Sequence, residues 1–286
     1  MSAILCAFYL ASCLSTPQAE DEGTLTVIVS ILPQAEFVER VGGEYVRVTV
    51  MVPSGASPHT YEPTPRQLKD VSKAALYVTV GSGLEFELSW SEKIISMNEA
   101  MLVVDCSRGI ELIPADEHGT AHGSHPERYD PHIWLSVKNA QIMVENIFQG
   151  LIQVDPSHRE YYARNKDAYI EELEVLDSKI LQVFSGKDRK ILVYHPSWAY
   201  FCRDYGLQQI PIEEEGKEPT PQGIAQIIAY ARENSITVIF ASPQFNTESA
   251  SVIAAEIGGT VVFIDPLDRH YIENMWKIAL TMEGEP

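Results

Sequence analysis

The residues best suited to chemistry in this sequence are three histidines and one aspartate that follow apolar, strand-like runs or prolines. His195 closes the run KILVYH, and Asp265 closes the run TVVFID. His59 lies in the loop after YVRVTVMV, and His132 lies in the segment DPHIWLS, ahead of a predicted helix. Ligands of open α/β sheets bind outside the carboxyl ends of the strands. We therefore expect these side chains to face one common cleft.

Three imidazoles and one carboxylate form a set of four nitrogen and oxygen ligands, which suits a zinc ion. His59 and His132 come from the first half of the chain, whereas His195 and Asp265 come from the second half. One ion would therefore join the two halves. From the residues alone, a hydrogen-bonded structural role for each histidine is the alternative interpretation.

The elements that would position these residues alternate between strands and helices, which predicts an α/β fold with parallel sheets. In the first half, the predicted strands cover residues 25–31, 45–52, 75–81 and 101–106. In the second half, they cover residues 190–195, 207–212, 236–241 and 260–265. Predicted helices lie between these strands in both halves.

The sequence Glu-Pro-Thr-Pro occurs twice, starting at Glu62 and at Glu218. Thr64 can cap a helix that begins with the next proline, and Gln67 stands at the capping-box position. Thr220 can cap a second helix in the same way, without the box. A helix and then an apolar strand follow each copy, which predicts two similar lobes built from one repeated α/β unit. Chance recurrence of a short capping signal is the alternative.

A helical segment separates the two halves at residues 155–184, with apolar residues at helical spacing. Its stripe consists of Tyr162, Tyr169, Leu173, Leu176, Ile180 and Val183. We expect one long rigid helix here, which joins a first lobe at residues 24–154 to a second lobe at residues 185–286. Packing against the core explains the stripe without any ligand.

Residues 1–23 read as a leader and tether. The stretch 2–14 is uncharged, and it is shorter than the roughly 20 residues that a membrane-spanning helix needs. It is typical of a secretion signal, although it lacks a basic n-region. Residues 10–13 resemble a lipoprotein box ending in Cys13. We therefore expect an extracytoplasmic protein, periplasmic or at the cell surface, with a lipid anchor at Cys13. The frayed N-terminus of a cytosolic protein is the alternative.

The formal net charge of -19 comes from 21 basic and 40 acidic residues. Such a surface disfavours nucleic acid and anionic lipid and attracts cations, although simple solubility also explains it. Outside the leader, the cysteines are Cys106 and Cys202, which lie in different halves. We expect two separate buried thiols rather than a disulfide, and a monomer.

The chain resembles the ZnuA/TroA-like (cluster A-I) solute-binding proteins of ABC metal importers in four segments, in the family's order: SGASPHTYEPTPRQL, DPHIWLS, VYHPSWAYFCRDYGL and FIDPL. The resemblance implies two α/β lobes joined by one long helix, with a metal ion between them. It implies that His59, His132, His195 and Asp265 are the ligands, and that the partners are membrane permease subunits of an ABC importer.

The resemblance also bears on the metal and on activity. Relatives that resemble manganese or iron carriers have a carboxylate at the third ligand position, where this chain has His195, so we expect Zn²⁺ as the transported ion. Mn²⁺ or Fe²⁺ is the alternative cargo. We expect no enzyme activity, because a fourth protein ligand would fill the position that a catalytic zinc keeps open for water. A zinc hydrolase and a cell-surface adhesin are the rival functions.

Several residues near the predicted site have proposed supporting roles. Asp130 and Glu62 are close in sequence to ligands and could anchor an imidazole. The aromatic residues Trp134, Trp198 and Tyr200 are expected to shield the site from water. The loop that carries His118, His122 and His125 could collect zinc or could be an inert surface loop, and His158 and His270 read as surface or packing residues.

Overall fold

The structure is a computed structural model that describes residues 23–115, 129–187, 189–213, 217–245 and 247–284. The predicted leader with Cys13, and the loop with His118, His122 and His125, lie outside the described residues. Among the helices that the structure does describe, none has the length and apolarity that a membrane span requires.

The first lobe is built around a four-stranded parallel sheet with the strand order β2-β1-β3-β4. Strands alternate with helices, as the sequence pattern predicted. The elements of this lobe are β1 (Leu25–Val29), α1 (Leu32–Gly42), β2 (Val46–Val50), α2 (Pro65–Val71), β3 (Leu76–Thr79), α3 (Glu85–Ser96), β4 (Leu102–Asp105) and α4 (Val137–Val154).

The second lobe repeats this arrangement with the strand order β6-β5-β7-β8, again parallel throughout. Its elements are β5 (Arg189–Val193), α6 (Ala199–Tyr205), β6 (Leu207–Pro211), α7 (Pro221–Glu233), β7 (Val238–Ala241), α8 (Glu248–Ile257), β8 (Thr260–Phe263) and α9 (Tyr271–Glu283). The two sheets have equivalent strand orders, as two copies of one α/β unit require. The residue limits that we expect for each lobe stay a prediction.

Both copies of the Glu-Pro-Thr-Pro sequence begin a helix in the predicted way. The Thr64 hydroxyl accepts a hydrogen bond from the backbone N–H of Gln67, and the Gln67 side chain returns to the backbone N–H of Thr64 at 2.9 Å. The Thr220 hydroxyl accepts from the backbone N–H of Gly223 at 3.1 Å, without a reciprocal bond. The helices α2 and α7 therefore start at equivalent places in the two lobes.

The linking helix α5 (Arg159–Phe184) has 26 residues and follows a short 3-10 turn at Pro156–His158. At 1.5 Å per residue it is about 39 Å long. The predicted apolar stripe is buried from its first member through Ile180, but Val183 is only half-buried and Phe184 takes the last core position. The helix packs on α1, α4 and α9, so it is part of the core rather than a free rod.

One apolar core runs through both lobes and the linking helix. It includes Phe37 of the first lobe, Leu173 of α5, Phe201 of the second lobe and Met275 of α9. A smaller second cluster lies on the other face of the second sheet, beneath α7 and α8, and includes Ile239. The shared core means that the lobes are packed against each other and cannot separate without exposing buried apolar surface.

The two cysteines of the described chain are separate buried thiols, as expected. Burial raises the pKa of both Cys106 and Cys202. His158 is a packing residue: its ring stacks on Tyr45 with centroids 3.7 Å apart, and its Nδ1 atom lies 2.6 Å from Asp155 Oδ2.

Candidate metal centre

The structure brings His59, His132 and His195 together where the two lobes meet. One ring nitrogen of each residue lies within 4.8 Å of one ring nitrogen of the other two, which is close enough for the three to hold a metal ion. The ring centroids are 4.8 Å apart for His59 and His195, 5.3 Å for His132 and His195, and 5.9 Å for His59 and His132. The sequence therefore identified the three residues that converge.

Each imidazole is held through its Nδ1 atom by a carboxylate. His59 Nδ1 lies 2.8 Å from Glu85 Oε2, and His132 Nδ1 lies 2.8 Å from Asp130 Oδ1. His195 Nδ1 lies 2.7 Å from Glu213 Oε2. An ionised carboxylate can only accept hydrogen bonds, so these contacts place a proton on Nδ1 in every ring. The three Nε2 atoms then present lone pairs, which is the arrangement of metal-bound histidines.

The Nε2 atom of His195 gives an independent indication of a ligand. It is buried and has no hydrogen-bond partner among the described residues. Buried polar atoms in native proteins are nearly always paired, and leaving one unpaired costs about 1–3 kcal/mol. A metal ion bonded to this atom would remove that cost, so the donor set fits a zinc ion.

The loop that carries His59 is closed by Gln67. The Gln67 Nε2 atom donates to the backbone carbonyls of Val50, at 3.2 Å, and Met51, at 2.6 Å, where β2 ends. The hydroxyl of Tyr61 donates to Gln67 Oε1 at 2.8 Å. The same residue that completes the capping box thus ties the loop to the sheet. The sequence motif revealed the cap but not this second role.

Glu85 is positioned by its neighbour Glu87 in the first turn of α3. The buried carboxylate of Glu87 accepts hydrogen bonds from the Ser30 hydroxyl at 2.5 Å and from the backbone N–H groups of Val80 and Gly81 at 2.6 and 2.9 Å. These bonds fix the start of α3 at the ends of β1 and β3. Glu85 is thereby held within reach of His59.

Of the two anchors proposed from the sequence, the structure places one beside a ligand. Asp130 holds His132, and its own backbone carbonyl accepts a hydrogen bond from the Tyr200 hydroxyl at 3.0 Å. Glu62 is exposed, and Glu85 occupies the position beside His59 instead. Glu85 and Glu213 were missed because neither is near its histidine in sequence.

The surroundings of the site shift the pKa of two of its members. Burial lowers the pKa of His195 to about 4, against the opposing effect of its hydrogen bond to Glu213. Burial raises the pKa of Glu85, but the hydrogen bond and charge of His59 outweigh it and lower the pKa to about 2. At pH 7, His195 is therefore neutral and Glu85 is ionised, which is the state that metal binding requires.

Asp265 follows β8 and lies outside the group of three histidines. Its Oδ1 atom accepts hydrogen bonds from Gln244 Nε2 at 2.7 Å and from the backbone N–H of Leu267 at 2.9 Å. The group of ligand atoms within 4.8 Å of one another consists of the three imidazoles alone in the described part of the chain. The ligand role of Asp265 therefore stays a prediction.

Aromatic side chains surround the imidazoles. Phe245 stacks on His195 with ring centroids 4.4 Å apart, and Trp134 lies 5.4 Å from His132. Trp198 is buried, and its ring packs edge-on against Phe201 with centroids 6.0 Å apart. The expected shielding by Trp134 agrees with its place beside the site, whereas Phe245 was not singled out from the sequence. Its only signal was its place in the turn that follows a predicted strand.

The pKa of His195 can be tested directly. We expect the His195 imidazole of the metal-free protein to titrate near pH 4, because burial disfavours the charged ring. Its neutral form should thus persist as the pH falls through 6.5, where an exposed histidine takes up a proton. NMR titration of ring-labelled protein measures this. A midpoint near 6.5 for His195 would contradict the buried geometry.

A second prediction concerns the His59 loop. Replacing Gln67 with Ala removes the bonds to the end of β2, so we expect zinc affinity to fall by about tenfold, as for other residues that orient a ligand. Isothermal titration with zinc measures the change, and a circular dichroism melt checks the fold. The matched control is Gln222→Ala, an exposed glutamine in the first turn of α7. Equal affinities for both variants would show that Gln67 does not position His59.

Comparison with known proteins finds metal-binding and zinc-uptake proteins along nearly the whole chain. The family model described as "Zinc-uptake complex component A periplasmic", ZnuA, matches residues 27–284. A putative metal-binding protein of Treponema pallidum is 30% identical over 272 residues, which cover 91% of this chain and 85% of the relative. The high-affinity zinc uptake system protein ZnuA of Bacillus subtilis is 29% identical over 278 residues, covering 92% and 86%.

Solved structures agree with the sequence comparisons. A crystal structure of ZnuA superposes with a TM-score of 0.85 at 41% identity, and the match covers 91% of this chain and 98% of that one. The family match extends from the first strand to the last helix and therefore includes every residue of the metal centre. The chain therefore belongs to the family of ZnuA/TroA-like metal-binding solute-binding proteins.

Proposed function

We propose that this protein captures Zn²⁺ between its lobes with His59, His132, His195 and Asp265, and delivers the ion to the membrane permease of an ABC importer. The observation that carries the proposal is the convergence of three imidazoles, each oriented by a carboxylate on Nδ1. Such a site is built before the ion arrives, so little ordering is required on binding.

Zinc is favoured over other divalent ions by the chemistry of the donors. Neutral imidazole nitrogens suit zinc, whereas manganese prefers carboxylate and other oxygen ligands. The alternative cargo is supported by relatives such as the manganese-binding lipoprotein MntA of Halalkalibacterium halodurans, which is 29% identical over 251 residues. The three histidines of this chain support zinc as the ion transported.

Asp265 is the proposed fourth ligand because it follows β8 at the same edge of the second sheet at which His195 follows β5. With a fourth protein ligand in place, the ion has no open position for an activated water. We therefore propose a binding protein without enzyme activity. Hydrolysis of generic ester or phosphate substrates by the zinc-loaded protein would favour the hydrolase alternative instead.

The segment that carries Asp265 is hydrogen-bonded to the first lobe, so this segment cannot move far. Release of the ion therefore takes only a small movement. The Trp134 Nε1 atom donates to the backbone carbonyl of Pro266 at 2.8 Å, and the backbone N–H of Tyr271 donates to Glu36 at 2.6 Å. Arg269 pairs with Glu39. We propose that permease docking moves His195 or Asp265 away from the ion without a wide opening of the lobes.

The location and the partners of the protein follow from its role in zinc import. Solute-binding proteins of this family work outside the cytoplasm together with ABC permease subunits. We propose that this chain acts there as a monomer, tethered by lipid at Cys13. The zinc-binding lipoprotein AdcA of Streptococcus pneumoniae, 28% identical over 276 residues, supports an anchor of this kind.

The experiment for this function is loss of a ligand. His195→Ala should lower zinc affinity by at least about a hundredfold, beyond the loss seen when a residue that only orients a ligand is removed. Isothermal titration and elemental analysis of the purified protein measure bound zinc, with manganese and iron as competitors. The control is His270→Ala, which alters an exposed histidine at the start of α9. Unchanged zinc binding in the His195 variant would contradict the proposed metal site.

A further inference from the structure

The turn between β7 and α8 contacts both of the predicted ligands that the second lobe supplies. Phe245 stacks on the ring of His195, with an angle of 24° between the planes. The preceding residue, Gln244, donates from Nε2 to Asp265 Oδ1 at 2.7 Å. Two consecutive residues thus each contact one of the predicted ligands.

The hydrogen bond from Gln244 leaves the two oxygens of Asp265 unequal. The Oδ1 atom accepts from Gln244 Nε2 and also from the backbone N–H of Leu267 at 2.9 Å. A carboxylate oxygen has about two lone-pair positions, and these two donors fill them. The Oδ2 atom is therefore the oxygen that can bind an ion without breaking a hydrogen bond.

The orientation of the Gln244 amide follows from its partners. Its Nε2 atom must face Asp265, because the reverse orientation would set the amide oxygen against a carboxylate oxygen. The amide oxygen, Oε1, is buried and has no hydrogen-bond partner among the described residues. A buried unpaired acceptor is costly and calls for an explanation. The explanation is the hydrogen bond from Nε2 to Asp265, because the amide orientation that makes this bond leaves Oε1 without a partner.

We infer that Gln244 is a specificity-determining residue of the metal site, acting by restricting Asp265 to one ligand oxygen. The inference rests on the proposed function, because it takes Asp265 as a ligand. With Oδ1 engaged, the ion meets three imidazole nitrogens and one oxygen. That set satisfies the tetrahedral preference of Zn²⁺ and disfavours Mn²⁺, which prefers more oxygen ligands.

Gln244→Met tests the inference, because methionine has a similar length and lacks the N–H donor. Co²⁺ serves as the spectroscopic reporter, since tetrahedral Co²⁺ absorbs visible light strongly and five- or six-coordinate Co²⁺ absorbs weakly. We expect strong absorption from the wild type and weaker absorption from the variant, in which Asp265 can bind through both oxygens. The affinity ratio of Mn²⁺ to Zn²⁺ should rise by roughly tenfold, as expected for loss of one hydrogen bond to a charged group.

Two further variants separate a specific effect from a structural one. Gln222→Met, an exposed change on α7, should leave both the spectrum and the metal preference as in the wild type. In an Asp265→Ala background, Gln244→Met should add nothing further, because its partner is already absent. A Gln244→Met variant with the wild-type spectrum and wild-type metal preference would overturn the inference.

The outcome for Asp265 distinguishes this inference from the proposed function. If Asp265→Ala leaves zinc affinity and the Co²⁺ spectrum unchanged, Gln244 cannot act through that residue and the inference fails, while zinc capture by three histidines stands. If the wild-type protein binds no zinc, the proposed function fails as well.

Discussion

The metal centre depends on three hydrogen bonds between imidazole Nδ1 atoms and carboxylates. A free histidine exists as two tautomers and in several ring orientations, so the nitrogen that can bind a metal, and its direction, are not fixed. Here Glu85, Asp130 and Glu213 each hold the Nδ1 atom of one histidine, which leaves the three Nε2 atoms available as ligands. These carboxylates come from the start of α3, from the loop before α4 and from the segment just after β6. The order of the strands is therefore what assembles the site.

The continuous core restricts how this site can operate. One apolar cluster joins the first sheet, α5, α6 and α9, and the segment carrying Asp265 is hydrogen-bonded to the first lobe through Pro266 and Tyr271. Separating the lobes widely would expose apolar surface at a cost of about 25 cal/mol per Å². Small displacements of a loop or side chain avoid that cost. The proposed release, in which a partner moves one ligand, needs only such a small displacement.

Much of this architecture was predictable from the sequence, because strand and helix periodicity, proline-threonine caps and the long amphipathic helix are local signals. The convergence of three histidines was also predictable, since each follows a strand or precedes a helix at one edge of an α/β unit. The supporting residues were not. Glu85, Glu213, Phe245 and Gln244 act on residues distant in sequence, and nearness in sequence favoured Glu62, which is exposed. Such partners depend on strand order and on loop paths that no local pattern encodes.

We propose that one zinc ion is bound by three imidazoles and a single carboxylate oxygen. X-ray absorption spectroscopy of the zinc-loaded protein tests it most directly, because it reports the number and type of atoms around the metal. We expect four nitrogen or oxygen neighbours at about 2.0–2.2 Å, with the outer-shell scattering of three imidazole rings. A shell with sulfur, with six oxygens, or with fewer than three imidazoles would contradict the account.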